Sequence, residues 1–119
     1  MLQGSFYDIL QSNPDGYVIR FKPAHPIFSG HFPEYPVVPG ACVVQIAEEL
    51  ATISIGYPVR FAAIHDLKFR QPITPDQEIT ISISKTAESI CKVLCTGSKN
   101  EQQLIISFNA QSTELFKRN

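Results

Sequence analysis

At 119 residues and 44% hydrophobic content, the chain suits one domain over 1–119 with a single core. Ten Lys and Arg against eleven Asp and Glu leave a formal net charge of −1. The basic residues are scattered, so neither a nucleic-acid groove nor a polybasic membrane surface is expected. No run of about 18 apolar residues and no basic n-region occurs, which argues against a membrane span or signal peptide and makes the cytoplasm the default location.

Leu2 to Gln11 reads as a short helix or a leading strand, stopped by the turn signal Asn13-Pro14-Asp15-Gly16. Tyr17 to Lys22 alternates as a strand does. From His31, three prolines in seven residues, Pro33, Pro36 and Pro39, fix φ and remove donors. The chain must stay extended there until a helix begins. Pro39 suits the first helical position. Gly40 to Ile55 is almost wholly apolar, which predicts a helix buried on most sides, ended by Gly56-Tyr57-Pro58.

Four strands are predicted after it. Phe61 to Arg70 is the first, and in the second Ile79, Ile81 and Ile83 alternate with Thr80, Ser82 and Ser84. Ile90 to Thr96 and Gln102 to Thr113 follow, joined through Ser98-Lys99-Asn100-Glu101. One buried helix with antiparallel strands is an α+β arrangement, a curved sheet wrapped around the helix. Such a sheet leaves an edge strand and one side of the helix to be covered, so a dimer is expected.

In a buried helix the polar residues carry the information. Gln45, Glu48, Glu49 and Thr52 are spaced by three and four and share one stripe. His31 is expected at its mouth. Gly40 lets a ligand approach the free N–H groups of the helix start, where the dipole favours developing negative charge. The result is a base, a polar partner and an oxyanion donor. Cys42, Cys91 and Cys95 are an odd number and read as buried thiols. His25, His31 and His65 are unclustered, and no metal-ligand pair or phosphate-cradling glycine loop is present, so neither metal nor cofactor is implied.

Gly30-His31-Phe32-Pro33, with Pro36, Pro39 and Gly40 and a long apolar helix, resembles the 3-hydroxyacyl-acyl-carrier-protein dehydratases of fatty-acid synthesis. Leu67 to Asp76 resembles that family's strand and turn, though Pro75-Asp76 lacks the intervening glycine. The resemblance spans nearly the whole chain and implies the hotdog fold. It also implies a site built across a dimer, His31 as base, Gly40 as oxyanion donor, and substrate contacts at Phe32, Pro39 and Arg70. Lys68 and Arg70 would meet the phosphopantetheine arm or an acidic carrier protein. The family's acid lies fourteen residues after its histidine, and here that place holds Gln45, with Glu49 one turn on. An amide cannot deliver a proton to a leaving hydroxyl. Acid and amide have changed places.

The plainer readings stand beside these. His31 can be a turn histidine, Gln45 a buried structural amide, Glu49 an interface carboxylate paired with a cation, and Lys68 and Arg70 a solvated face. The function expected is dehydration of 3-hydroxyacyl thioesters on acyl carrier protein, with His31, Gln45 and Glu49 as catalytic candidates. The alternatives are a catalytically weak acyl-binding subunit completing a dehydratase heterodimer, or a hotdog thioesterase. A homodimer, a trimer of dimers or a heterodimer with a related dehydratase all fit the chain.

Overall fold

The computed structural model describes residues 2–14, 16–30, 36–56, 58–87, 90–97 and 100–112, with backbone alone at 29, 30, 87 and 100–104. Its elements are β1 (Tyr7–Asn13), β2 (Gly16–Phe21), α1 (Pro26–Gly30), α2 (Gly40–Ile55), β3 (Phe61–Phe69), β4 (Glu78–Ala87), β5 (Ile90–Gly97) and β6 (Asn100–Ser112). The strands form one antiparallel sheet in the order β1-β2-β4-β5-β6-β3.

The period of two seen in the sequence sets the core face. Ile81 pairs with Cys95, which pairs with Ile106, and Ile83 with Val93, which pairs with Phe108. Cross-strand partners share a face, and these rows pack with Val43, Ile46, Ala47 and Leu50 of α2. A fully buried side chain such as Leu50 or Ile46 contributes about 1.5–3 kcal/mol. Cys91 and Cys95 lie in this interior as free thiols, and burial pushes the Cys95 thiol up to about 12.

Several boundaries differ from expectation. Only Tyr7 onward is strand. Residues 2–6 instead form a turn held by Phe6 N–H to Leu2 O (2.8 Å) and Gly4 N–H to Tyr7 O (2.7 Å), with Gly4 at φ 88° where an L side chain is strained. Pro39 is not the first helical residue but the N-cap, at φ −61° and ψ 141°. Its missing N–H suits either place. Helix α1, which the sequence reading missed, starts at Pro26. The preceding His25 accepts the Ile27 N–H on Nδ1 at 3.1 Å, a capping role for which histidine gives little sequence signal.

Helix α2 is also less covered than expected. Ala41, Gln45, Ile53 and Ser54 are exposed. Among the described residues strand β3 pairs only with β6, and Ile64 through Phe69 are all exposed. Among the described residues the uncovered helix side and the free edge of β3 are where the apolar pattern has no partner. Among the described residues no helix is long and apolar enough to cross a membrane.

Candidate active site

The start of α2 has no side-chain cap. The Pro39 carbonyl accepts from Cys42 N–H (3.0 Å) and Val43 N–H (3.3 Å), which leaves the Gly40 and Ala41 N–H groups as the donors of the first turn with no partner among the described residues. Val38 N–H to Ile73 O (2.7 Å) pins this start to the turn after β3. That turn closes without the glycine its motif lacks, because Gln77 Oε1 accepts from Thr74 N–H at 2.8 Å and Gln77 N–H returns to Thr74 O at 3.1 Å.

Phe69, at the end of β3, lies directly against Gly40. A Cβ on Gly40 would meet Phe69 Cζ at 2.4 Å and Cε1 at 2.8 Å. The ring is 57% exposed and can swing away, while Ala gains about 0.8–1 kcal/mol over Gly inside a helix. Gly40→Ala is therefore expected to fold with its Phe69 ring displaced. In a double-mutant cycle with Phe69→Ala, measured by urea unfolding, a coupling of about 1 kcal/mol is expected. Additive effects would mean that the two residues do not bear on each other.

The polar stripe expected on α2 is present. Ala41, Val44, Gln45, Glu48, Glu49 and Thr52 line an open groove of about 600 Å³ whose far wall is Pro58, Val59 and Arg60. Two stripe residues fasten the segment after the helix: Glu48 Oε2 accepts the Phe61 N–H at 2.7 Å, and Thr52 Oγ1 accepts the Val59 N–H at 3.0 Å. Gln45 is exposed, whereas Glu49 is buried.

Glu49 is the most heavily bonded side chain of the groove. Its Oε2 accepts from Leu2 N–H (2.7 Å) and Gln45 Nε2 (3.3 Å). Its Oε1 accepts from Gln3 N–H (3.0 Å) and the Tyr7 hydroxyl (3.0 Å). Four donors match the four acceptor positions of a carboxylate. Among the described residues these partners are two backbone amides, one side-chain amide and a phenol, with no cation. Burial first, and the Glu49 bond and charge after it, hold the Tyr7 phenol well above the usual tyrosine range. Sequence reasoning missed Tyr7 and the N-terminal turn. A buried carboxylate announces that it needs donors but not which distant segment brings them.

A second, smaller groove of about 300 Å³ lies on the outer face of the sheet, where Lys68, Arg70 and Lys92 gather beside Leu94, Ser107 and Asn109. Cross-strand pairing explains the cluster, since Lys92 pairs with Asn109, and Ser107 with both Leu94 and Lys68. Asp66, the one carboxylate among its described lining residues, accepts from Asn109 Nδ2 at 3.3 Å and stands at φ 55° in the β3 bulge. Lys92 was not singled out from the sequence, because its neighbours come from other strands. His31 and Phe32 lie outside the described residues. Pro39 and Gly40 stand together at the helix start, Gln45 and Glu49 share the groove, and Arg70 belongs to the outer face.

A family model described as ApeI-like, ApeI dehydratase, matches residues 13–109. The 3-hydroxyacyl-[acyl-carrier-protein] dehydratase FabZ of Hydrogenobaculum sp. is 32% identical over 110 residues, spanning 78% of this chain and 72% of that one. The FabZ of Thermotoga neapolitana is 28% identical over 98 residues, 76% and 71% of the two chains. Among solved structures, a chain of the dehydratase heterocomplex ApeI:P from Xenorhabdus doucetiae superposes with a TM-score of 0.69 at 19% identity, covering 86% of this chain and 90% of that one. The E. coli PaaI protein superposes at 0.59 with 15% identity, over 89% and 81%. At such identities the structures share the fold alone, the hotdog fold of a sheet wrapped on one long helix. The family match covers most of the sequence, and the chain belongs to the ApeI-like dehydratase family.

Proposed function

We propose that the chain dehydrates 3-hydroxyacyl thioesters carried on acyl carrier protein to 2-enoyl thioesters, in fatty-acid or related acyl-chain biosynthesis in the cytoplasm. The observation that carries this is the polar groove along α2, lined from Ala41 in its first turn, in a chain of a dehydratase family. His31 acts as the general base and takes the C2 proton. The C2–H electron pair forms the new double bond as the C3–O bond breaks. Charge building on the thioester oxygen meets the Gly40 N–H and the positive end of the helix dipole. Helical side chains lean toward the N-terminus, so Gln45 reaches back toward that oxygen and holds the C3 hydroxyl. Gln45 has no proton to give. The proton taken from C2 returns from the His31 imidazolium to the departing hydroxyl, and water leaves.

A second copy completes the site. Ile53, Ile64, Leu67 and Phe69 are 38–57% exposed, and β3 offers a free edge. Pairing of two β3 strands covers both. The outer groove at Lys68, Arg70 and Lys92 supplies positive charge for the phosphate of the phosphopantetheine arm or for an acidic carrier protein.

Gln45 also favours a second reading, that of an acyl-binding subunit whose related partner brings the acid. The heterocomplex named for the ApeI:P structure gives that reading a precedent in fold. The two are told apart by the chain alone. Under the dehydratase reading, His31→Ala lowers turnover of a 3-hydroxyacyl thioester by the ~10²–10⁴ of a lost general base. An undiminished rate removes His31 from the chemistry.

A further inference from the structure

We infer that Glu49 is a positioning residue: anchored by the N-terminal turn, it fixes the Gln45 carboxamide with its carbonyl oxygen presented to the groove, so that the site selects ligands carrying a hydroxyl at C3. The ligand class rests on the dehydratase reading; the orientation of the amide does not. A carboxylate only accepts, so the atom of Gln45 lying 3.3 Å from Glu49 Oε2 must be Nε2. The opposite flip would set two acceptors against each other. With its N–H turned to Glu49, the amide keeps Oε1 for whatever enters beside it, and Gln45 is the exposed member of the pair. A C3 hydroxyl donates to that oxygen, whereas a C3 ketone offers a second acceptor and is disfavoured.

The anchor itself is built to stay put. Leu2 and Gln3 donate to Glu49 from a turn closed by its own backbone bonds. Phe6 of that turn is fully buried, stacked on Phe28 at 5.2 Å and edge-on to Phe21 at 5.6 Å and His25 at 5.1 Å. Phe28 belongs to α1, the helix that leads into His31. The same turn thus braces both the amide and the approach to the base.

The test uses the full chain with His31→Ala, so that no ligand is consumed. Affinities for three thioesters of one acyl length, 3-hydroxyacyl, 3-oxoacyl and saturated, are measured by calorimetry. The 3-hydroxyacyl form is expected to bind roughly 3–10-fold more tightly than the saturated one, the worth of one hydrogen bond, and the 3-oxoacyl form more weakly. Gln45→Leu, at an exposed site, should erase the hydroxyl preference. Glu49→Gln frees the amide to turn over, so 3-oxoacyl binding should rise relative to 3-hydroxyacyl while saturated binding stays level. Equal weakening of all three would mark Glu49 as merely structural and overturn the inference. So would a 3-oxoacyl preference in the parent chain, or a hydroxyl preference that survives Gln45→Leu, and neither needs Glu49→Gln to fold. Turnover by the chain with His31 intact judges the dehydratase reading separately.

Discussion

Glu49→Leu is expected to destabilise the fold by about 3 kcal/mol or more. It leaves the Leu2 and Gln3 N–H groups and the fully buried Tyr7 hydroxyl without their acceptor. Each buried orphan costs about 1–3 kcal/mol, although the two N-terminal amides can recover part by reaching water. Tyr7→Phe removes one donor together with its need and should cost only about 1 kcal/mol. Equilibrium urea unfolding measures both, and a Glu49→Leu loss under 1 kcal/mol would show that the N-terminal turn does not depend on the carboxylate. The pH dependence follows from the same group. The Tyr7 phenol has its pKa raised in the fold, so its contribution is intact below the unfolded value near 10 and is lost as pH climbs past it. Cys95, raised to about 12, adds to that alkaline loss from about pH 9 upward. Tyr7→Phe should blunt the part that begins near pH 10.

Gln45→Glu should raise activity. It restores a carboxyl at the position fourteen residues after His31, where a general acid is worth about 10²–10⁴ in rate. The structure says how that carboxyl would behave. The atom it replaces lies 3.3 Å from Glu49 Oε2, and two carboxyls so close cannot both ionise without cost, so one is pushed up and stays protonated toward neutral pH. That is the state an acid catalyst needs. The same repulsion destabilises the fold at neutral pH and relaxes as pH falls, because a carboxyl with a raised folded pKa stabilises only below it. Steady-state turnover against pH, with thermal melts alongside, checks both parts. A faster enzyme that is less stable at pH 7 is expected. An unchanged rate would mean that the leaving hydroxyl does not pass beside residue 45.

Much of this was legible in the residues, and what was not has physical reasons. The alternation of Ile79, Ile81 and Ile83 fixed a strand and its core face, because a period of two leaves little choice once one side is buried. The spacing of Gln45, Glu48, Glu49 and Thr52 put them in one groove, because helix geometry is local. The partners of those residues are not local. Leu2, Gln3 and Tyr7 reach Glu49 across more than forty positions of chain, and Phe69 reaches Gly40 from another strand. No periodicity reports such meetings. Helix α2 was read as covered on most sides because its composition is apolar. Among the described residues one side of the helix is left open.

The most direct measurement is the rate at which the purified chain, with no related protein added, converts a 3-hydroxyacyl thioester on acyl carrier protein to the 2-enoyl product. Turnover by the native chain that His31→Ala lowers by ~10²–10⁴ is the expected result. No turnover alone, restored when a related dehydratase subunit is added, would contradict it and make this chain the acyl-binding half of a shared enzyme.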